Sequence, residues 1–358
     1  MGIRPVHGGN LAWATQIANC PPSELLDFSA SISPLGPPAS VLAAIQSQIP
    51  QLAHYPDPDY RLLRVAIGQH HNISPDWVLP GNGAAELLTW ASRDFSSLAG
   101  CGCLTPAFSD YVRALGSYGV AFNPMPLLIE GAWDFHRWQA SINQLPRASG
   151  ILVNNPHNPS GYLWSQSALL DCLEHLALVV VDEAFMDFLP PARQQSVSGW
   201  VEQYDNLVVL RSQTKFYSIP GIRIGYAIAH PDRLRRWQSW RDPWSVNTLA
   251  AAAAIAALQD TDFQTQTWRW LAVARAELFE ALNNLPELTP LPGEANFLLV
   301  RCDRSVTALQ QRLLQHHHIY IRDCLSFAEL GDRYFRVAVR HQTENQRLVT
   351  ALAACLRG

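Results

Sequence analysis

Short apolar runs that end in polar residues and alternate with helical stretches dominate the middle of this chain. Ile151–Asn154, Leu178–Asp182 and Leu207–Arg211 are of this kind. Runs so continuously apolar read as strands buried on both faces, the habit of parallel strands covered by helices on either side. Ile224–Ala229 reads as one further strand, and residues 39–48, 60–71 and 84–96 read as helices. The alternation predicts an α/β sheet between two helical layers. Prolines and glycines at Pro156, Pro159, Gly161, Pro190, Pro191, Pro220 and Gly221 mark the turns. From Ser245 the pattern changes. A long helical region, Val246 to Leu285, leads to a segment at Asn296–Arg301, a helix at Ser305–His316, short strands near Ile319–Arg322 and Tyr334–Val339, and a final helix to Leu356. Three parts are expected: an N-terminal segment, 1–48, packing with the small domain; a large domain, 49–245; and a smaller α+β domain, 246–358.

At 358 residues and 48% hydrophobic composition, the chain can bury a two-faced core and support a second domain beside it. A net charge of −4, with no long run of either sign, points to neither nucleic acid nor an acidic membrane surface. Leu249–Leu258, the longest apolar candidate, falls short of a bilayer span. The opening MGIRPVHGGN lacks the apolar core of a secretory leader, so a cytoplasmic protein is expected. Seven scattered cysteines, with only Cys101 and Cys103 close together, suit reduced core thiols better than a zinc knuckle or a redox pair. His316, His317 and His318 cannot all face one ion from a helix, and no metal is expected.

One count is sharper. Of 26 basic residues, 25 are arginine and one, Lys215, is lysine. Schiff-base chemistry needs a primary amine, which a guanidinium cannot replace. Lys215 follows strand Leu207–Arg211 in the run Ser212-Gln213-Thr214-Lys215, with Arg223 eight residues on. Nearby positive charge depresses a lysine pKa, and Ser212 and Arg223 could both grip a phosphate. Strand Leu178–Val181 ends in Asp182, where an acid faces a ligand beyond the sheet; it could hold a protonated heterocycle or simply cap the next turn. Gly81-Asn82-Gly83 before a helix suits a phosphate cradle, although such turns are common. Pro156 and Pro159 make a stiff loop that can fix an asparagine amide. Phe108, starting a helix after strand Cys101–Leu104, could stack on a flat cofactor or fill the core.

GNG-A, TPAF, NPHNPSG, DEAF and S-x-T-K-x8-R occur in this order along essentially the whole chain. Together they resemble the pyridoxal 5'-phosphate (PLP)-dependent aminotransferases of fold type I, in the branch with histidinol-phosphate aminotransferase. The resemblance implies an α/β transferase fold with a large, mostly parallel sheet between helices and a smaller α+β domain. It implies that Lys215 carries the cofactor, that Asp182 partners its pyridine nitrogen, and that Asn158 bonds its 3-hydroxyl. Phe108 would stack on the ring, while Asn82, Gly83, Ala84, Ser212 and Arg223 would bind the phosphate. Tyr55, in HYPDPDY, matches a tyrosine that reaches the cofactor phosphate from a second subunit, implying a homodimer with shared active sites.

Further segments narrow the likeness. His7-Gly8-Gly9-Asn10, LLDFSASISPLGPP, Pro243-Trp244-Ser245-Val246-Asn247 and Tyr334-Phe335-Arg336-Val337-Ala338-Val339-Arg340 are similar to the L-threonine-O-3-phosphate decarboxylases, which make the aminopropanol phosphate arm of cobalamin. Phe185 stands where histidinol-phosphate aminotransferases usually carry a tyrosine, and an aminotransferase of that kind is the alternative expectation. By the same resemblance, Arg336 and Arg322, with His7 and Gly8, would hold the substrate's carboxylate and phosphate, a phosphorylated amino acid needing several cations. Ser31 and Ser33 replace two asparagines usual in the decarboxylases. Ser31 is expected near the substrate, where a hydroxyl offers less than an amide. Which bond at Cα stands perpendicular to the cofactor ring would decide between decarboxylation and transamination.

Overall fold

A computed structural model describes residues 4–357. Its main sheet has seven strands in the order Val78–Gly81, Gly225–Ala229, Leu207–Ser212, Leu178–Asp182, Gly150–Asn154, Cys101–Thr105 and Phe122–Pro126. Gly225–Ala229 runs antiparallel to both neighbours, and the pairings from Leu207–Ser212 to Phe122–Pro126 are all parallel. The continuous apolar character of the central strands follows from this. Ile151, Val153, Val179, Val181, Leu207 and Val209 enter one core, while Leu152, Leu178, Val180, Val208 and Leu210 enter the other. A two-residue period therefore fills both faces, so the strands are apolar at every position up to their carboxyl ends.

A second, antiparallel sheet has four strands in the order Leu288–Pro290, Phe297–Cys302, Tyr334–Ala338 and Arg322–Asp323. Leu26–Asp27 pairs in parallel with Ile319–Tyr320, and the Ala338 N–H donates to Phe28 O at 2.9 Å. The following residues turn to the large sheet. The Ser33 N–H donates to Lys215 O at 3.0 Å, and Ser218 Oγ donates to Ser33 O at 2.6 Å. Residues 28–33 thus run between the two sheets.

Two sequence expectations are corrected. The helical region from Val246 is two helices, Thr248–Gln259 and Thr261–Asn283, broken at Asp260. The Asp260 carboxylate accepts the Phe263 N–H at 2.9 Å, and a side chain that caps a new helix ends the old one. The stretch Ile319–Arg322 is shared between two sheets: Ile319–Tyr320 joins the N-terminal strand, while Arg322–Asp323 joins Tyr334–Ala338.

Behind the main sheet's carboxyl edge lies a buried ion cluster. Arg211 Nη1 donates to Glu183 Oε2 at 2.7 Å and Nη2 donates to Asp187, with Arg211 only 1% exposed. Glu183 also accepts the Val197 N–H at 2.9 Å and the Ser196 hydroxyl at 2.6 Å. Removing one partner from such a pair costs about 3–5 kcal/mol, because the other is left charged and buried. The cluster locks together the ends of the two strands that carry Asp182 and Ser212.

Candidate active site

Strands Leu178–Asp182 and Leu207–Ser212 are parallel neighbours, so Asp182 and the turn through Lys215 emerge at the same edge of the sheet. Asp182 Oδ2 accepts the Tyr111 hydroxyl at 2.6 Å, and Oδ1 accepts the Ala184 N–H at 3.0 Å. Burial pushes the Asp182 pKa up, opposed by the Tyr111 bond and by Lys215. The Lys215 amine lies 4.8 Å from the centre of the Phe185 ring and, among the described residues, has no carboxylate within ion-pair distance. Burial lowers its pKa to about 8, with Arg336 and Arg223 adding to the fall and Asp182 opposing it. An appreciable fraction of this amine is neutral near pH 7, which is what a nucleophile requires.

The loop after strand Gly150–Asn154 is pinned to the same edge. Asn154 Nδ2 donates to Asp182 O at 2.8 Å, and Asn154 Oδ1 accepts the Asn158 N–H at 2.7 Å. Asn158 Oδ1 accepts Arg336 Nη1 at 2.5 Å, so its amide nitrogen is the group left to donate elsewhere. Phe108, partly exposed, immediately precedes the helix Ser109–Gly116 and meets Tyr111 edge to face at 5.5 Å.

The glycine turn needs a correction. The Asn82 N–H is taken by Glu86 Oε2 at 2.6 Å, and the Gly83 N–H by Gly81 O at 2.7 Å. Neither backbone donor is free for an anion as expected from the turn alone. The Glu86 N–H goes to Gly83 O at 3.2 Å, so the N–H groups of Ala84 and Ala85, which have no acceptor within their own helix, are the available donors. Gly83 has φ of +77°, and a Cβ there would come 2.6 Å from Arg223 Nη2, so the missing side chain is what admits the guanidinium. Ser212 Oγ lies 2.8 Å from Thr214 Oγ1 close by.

The most unusual feature is on the smaller sheet. Arg322 and Arg336 are direct partners across an antiparallel pair, and they are 5% and 9% exposed. Like charges directly opposite each other repel. Neither forms an ion pair with a carboxylate among the described residues. Arg322 Nη2 donates to Val6 O and to Ser326 Oγ, the latter at 2.6 Å. Arg336 Nε has no partner, and its guanidinium lies 4.6 Å from the centre of Phe297. Burial, then Arg322, lowers the Arg336 pKa to about 10. Two buried cations without an acid form a site prepared for an anion.

His7 closes this side. Its ring is 5.5 Å from Phe108, and its pKa is lowered by burial and then by Arg322. Gly8 is required where it stands: a Cβ would come 2.2 Å from Ser29 O. The neighbouring Gly9 N–H donates to Ser29 Oγ at 2.7 Å. Ser31 is buried, and its hydroxyl has no partner among the described residues.

The structure thus gathers Lys215, Asp182, Asn158 and Arg336 through direct contacts or mutual charge, and links Phe108, His7 and Arg322 to them. Tyr55 stands apart: it is 78% exposed and stacked on Trp244 at 4.4 Å. Sequence reading missed Tyr111 and Asn154. Tyr111 lies three residues beyond Phe108, a spacing that puts two side chains on one helix face. Asn154 ends its strand next to the proline loop, yet nothing in the sequence tells which of the loop's three asparagines points where.

A PLP-dependent transferase scaffold is thus defined, with amine and acid at the carboxyl edge of the large mixed sheet and the anion site supplied by the smaller sheet. The chain belongs to the aminotransferase class I and II family, whose pattern matches residues 23–352. It is 39% identical to the threonine-phosphate decarboxylase of Salmonella typhimurium, over 98% of this chain and 97% of that protein. It is 28% identical to the adenosylcobalamin biosynthesis bifunctional protein CobDQ of Leptospira interrogans, over 99% of this chain and 41% of that longer protein. In structure it resembles the histidinol-phosphate aminotransferase of Clostridium acetobutylicum, with a TM-score of 0.84, 29% identity, and coverage of 92% of this chain and 98% of that one.

Proposed function

We propose that this chain decarboxylates L-threonine O-3-phosphate to (R)-1-amino-2-propanol phosphate, with PLP as cofactor, in cobalamin biosynthesis. The observation that carries the reading is the buried, acid-free pair Arg322 and Arg336, in charge range of Lys215 through Arg336. A substrate bearing both phosphate and carboxylate neutralises that pair. The 39% identity to a threonine-phosphate decarboxylase over almost the whole chain supports the same substrate.

The residues present fit PLP. Lys215 offers a depressed amine for its aldehyde, Asp182 an acid for its nitrogen, and Asn158 Nδ2 a donor for its 3-hydroxyl. Phe108 offers a flat face. Ser212, Arg223 and the first-turn N–H of Ala84 would hold its phosphate, within the opening kept by Gly83. The cofactor supplies an electrophilic carbon for the substrate amine and a protonated ring that accepts the electron pair of a bond broken at Cα.

The chain does the rest. Asp182 keeps a proton on the ring nitrogen. Arg336 and Arg322, with His7, the Gly8 backbone and Ser31, would hold the substrate's anionic groups and so set which bond at Cα is broken. The Lys215 amine would be the group that hands a proton to Cα. Phe185 is buried, presents no hydroxyl and packs edge to face on Phe297 at 5.0 Å, giving the amine an apolar wall. Tyr55, exposed beside Trp244, fits a role in the active site of a second copy, making a homodimer; a cytoplasmic location and the division at residues 48 and 245 belong to the same reading. Among the described residues no helix is long and apolar enough to cross a membrane.

The test is to supply L-threonine O-3-phosphate and histidinol phosphate separately and assay carbon dioxide and carbonyl products. Carbon dioxide from the first, without carbonyl product, is expected. A carbonyl product from either, without carbon dioxide, overturns the reading in favour of transamination. A pH experiment checks the amine. With Lys215 at about 8, only its neutral form attacks, so the rate of PLP uptake by cofactor-free protein should climb about tenfold per pH unit below 8 and level off above it. An uptake rate still climbing past pH 10 would mean an ordinary, solvated lysine.

A further inference from the structure

One helix start carries two groups aimed at the cofactor site. Phe108 immediately precedes the helix, and Tyr111 sits in its first turn, 2% exposed, with its hydroxyl 2.6 Å from Asp182 Oδ2. Ala184 N–H supplies the donor to Oδ1. Lys215 and Asp110 are the other charged groups that face Asp182, and Asp110 and Cys103 face Tyr111. Burial and the neighbouring acid drive the Tyr111 pKa well above that of a free phenol, so the hydroxyl keeps its proton and remains a donor.

A buried carboxylate with too few donors takes up a proton rather than stay charged. The proton within reach of Asp182 is the one the ring nitrogen needs. If it moved, the N–H bond would break, an O–H bond would form, and the ring would lose the positive charge that draws electrons from Cα. We propose that Tyr111 is a positioning residue which prevents this transfer: its hydroxyl, donating to Oδ2, keeps Asp182 ionised and holds the proton on the ring nitrogen. The inference rests on the PLP reading above and deepens it. Removing the hydroxyl leaves the acid more basic, the ring neutral for more of the time, and substrate contacts untouched.

Tyr111→Phe tests this, since it keeps the ring against Phe108 and removes one oxygen. Two readouts are needed. In cofactor-free protein with carboxyl-13C aspartate, the Asp182 signal, assigned by its loss in Asp182→Asn, should titrate at least about one pH unit higher in the variant. In protein loaded with ring-15N PLP, the nitrogen resonance should move toward the unprotonated position while borohydride still fixes the cofactor to Lys215. Turnover should fall about tenfold in kcat with KM unchanged, the scale of one hydrogen bond to a charged group. An unaltered Asp182 titration together with an unaltered nitrogen resonance overturns the role of Tyr111. Failure of borohydride to label Lys215 in the parent protein overturns the cofactor reading instead, and the aspartate titration still decides whether Tyr111 governs Asp182.

Discussion

Lys215→Ala is expected to abolish turnover, lowering kcat by about 1,000-fold or more, and to end covalent attachment of PLP. The amine has two tasks that no other side chain in this protein can take over, since it is the chain's one lysine. In the proposed reaction it would bond the cofactor's aldehyde and return a proton to Cα. Loss of a positioned proton donor alone costs about 100- to 10,000-fold. The fold should survive, because the amine forms no ion pair among the described residues and faces Phe185 instead. Removing a buried, partly charged group relieves its desolvation, and Asp182, which loses that nearby charge, keeps its Tyr111 and Ala184 donors. The checks are borohydride reduction with peptide mapping and thermal unfolding of the same sample. Label on the peptide around position 215 in the parent, none in the variant, and a similar unfolding temperature are expected. Normal activity in the variant would refute the assignment.

Arg336→Ala is expected to raise KM for L-threonine O-3-phosphate by about tenfold to a hundredfold, while PLP affinity changes little. A hydrogen bond to a charged group is worth about 1.5–3 kcal/mol, and that range sets the estimate. Part of the loss should appear in kcat, because Arg336 also holds Asn158 Oδ1 at 2.5 Å and so fixes the amide proposed to meet the cofactor's 3-hydroxyl. Arg336→Lys should restore only part of the binding. A single ammonium cannot serve both Asn158 and the substrate anion with the planar fork that a guanidinium provides. Substrate titrations read against PLP titrations of cofactor-free protein separate the two affinities. Equal loss of both would place Arg336 on the cofactor rather than the substrate.

Where sequence reading succeeded, the signal was local. The central strands announced themselves because a strand covered on both faces is apolar at every position, as Leu178–Val181 and Leu207–Leu210 are. Asp182 could be singled out because it directly follows such a run, where the chain must leave the sheet, and Lys215 because it is the chain's one lysine, in the polar turn after another such run. Where it failed, the missing information lay in another part of the chain. The turn at Gly81–Gly83 looked like an open anion cradle, yet Glu86 folds back onto the Asn82 N–H. The break at Asp260 lies in a short polar run, Gln259-Asp260-Thr261-Asp262, that an exposed helical turn would equally carry, and the capping contact to Phe263 is what starts a new helix there.

By itself, the amino-acid order determined the layered α/β architecture, the amine and acid at the sheet's edge, and the types of residue available to hold an anion. These follow from short-range periodicity and from what a strand end must do. Tertiary structure alone decided that Arg322 faces Arg336, that Asn158 shares its oxygen with Arg336, and that Tyr111 reaches Asp182. Strand register and helix placement bring together positions far apart in the chain. No local pattern encodes such pairings, because each depends on how whole elements pack.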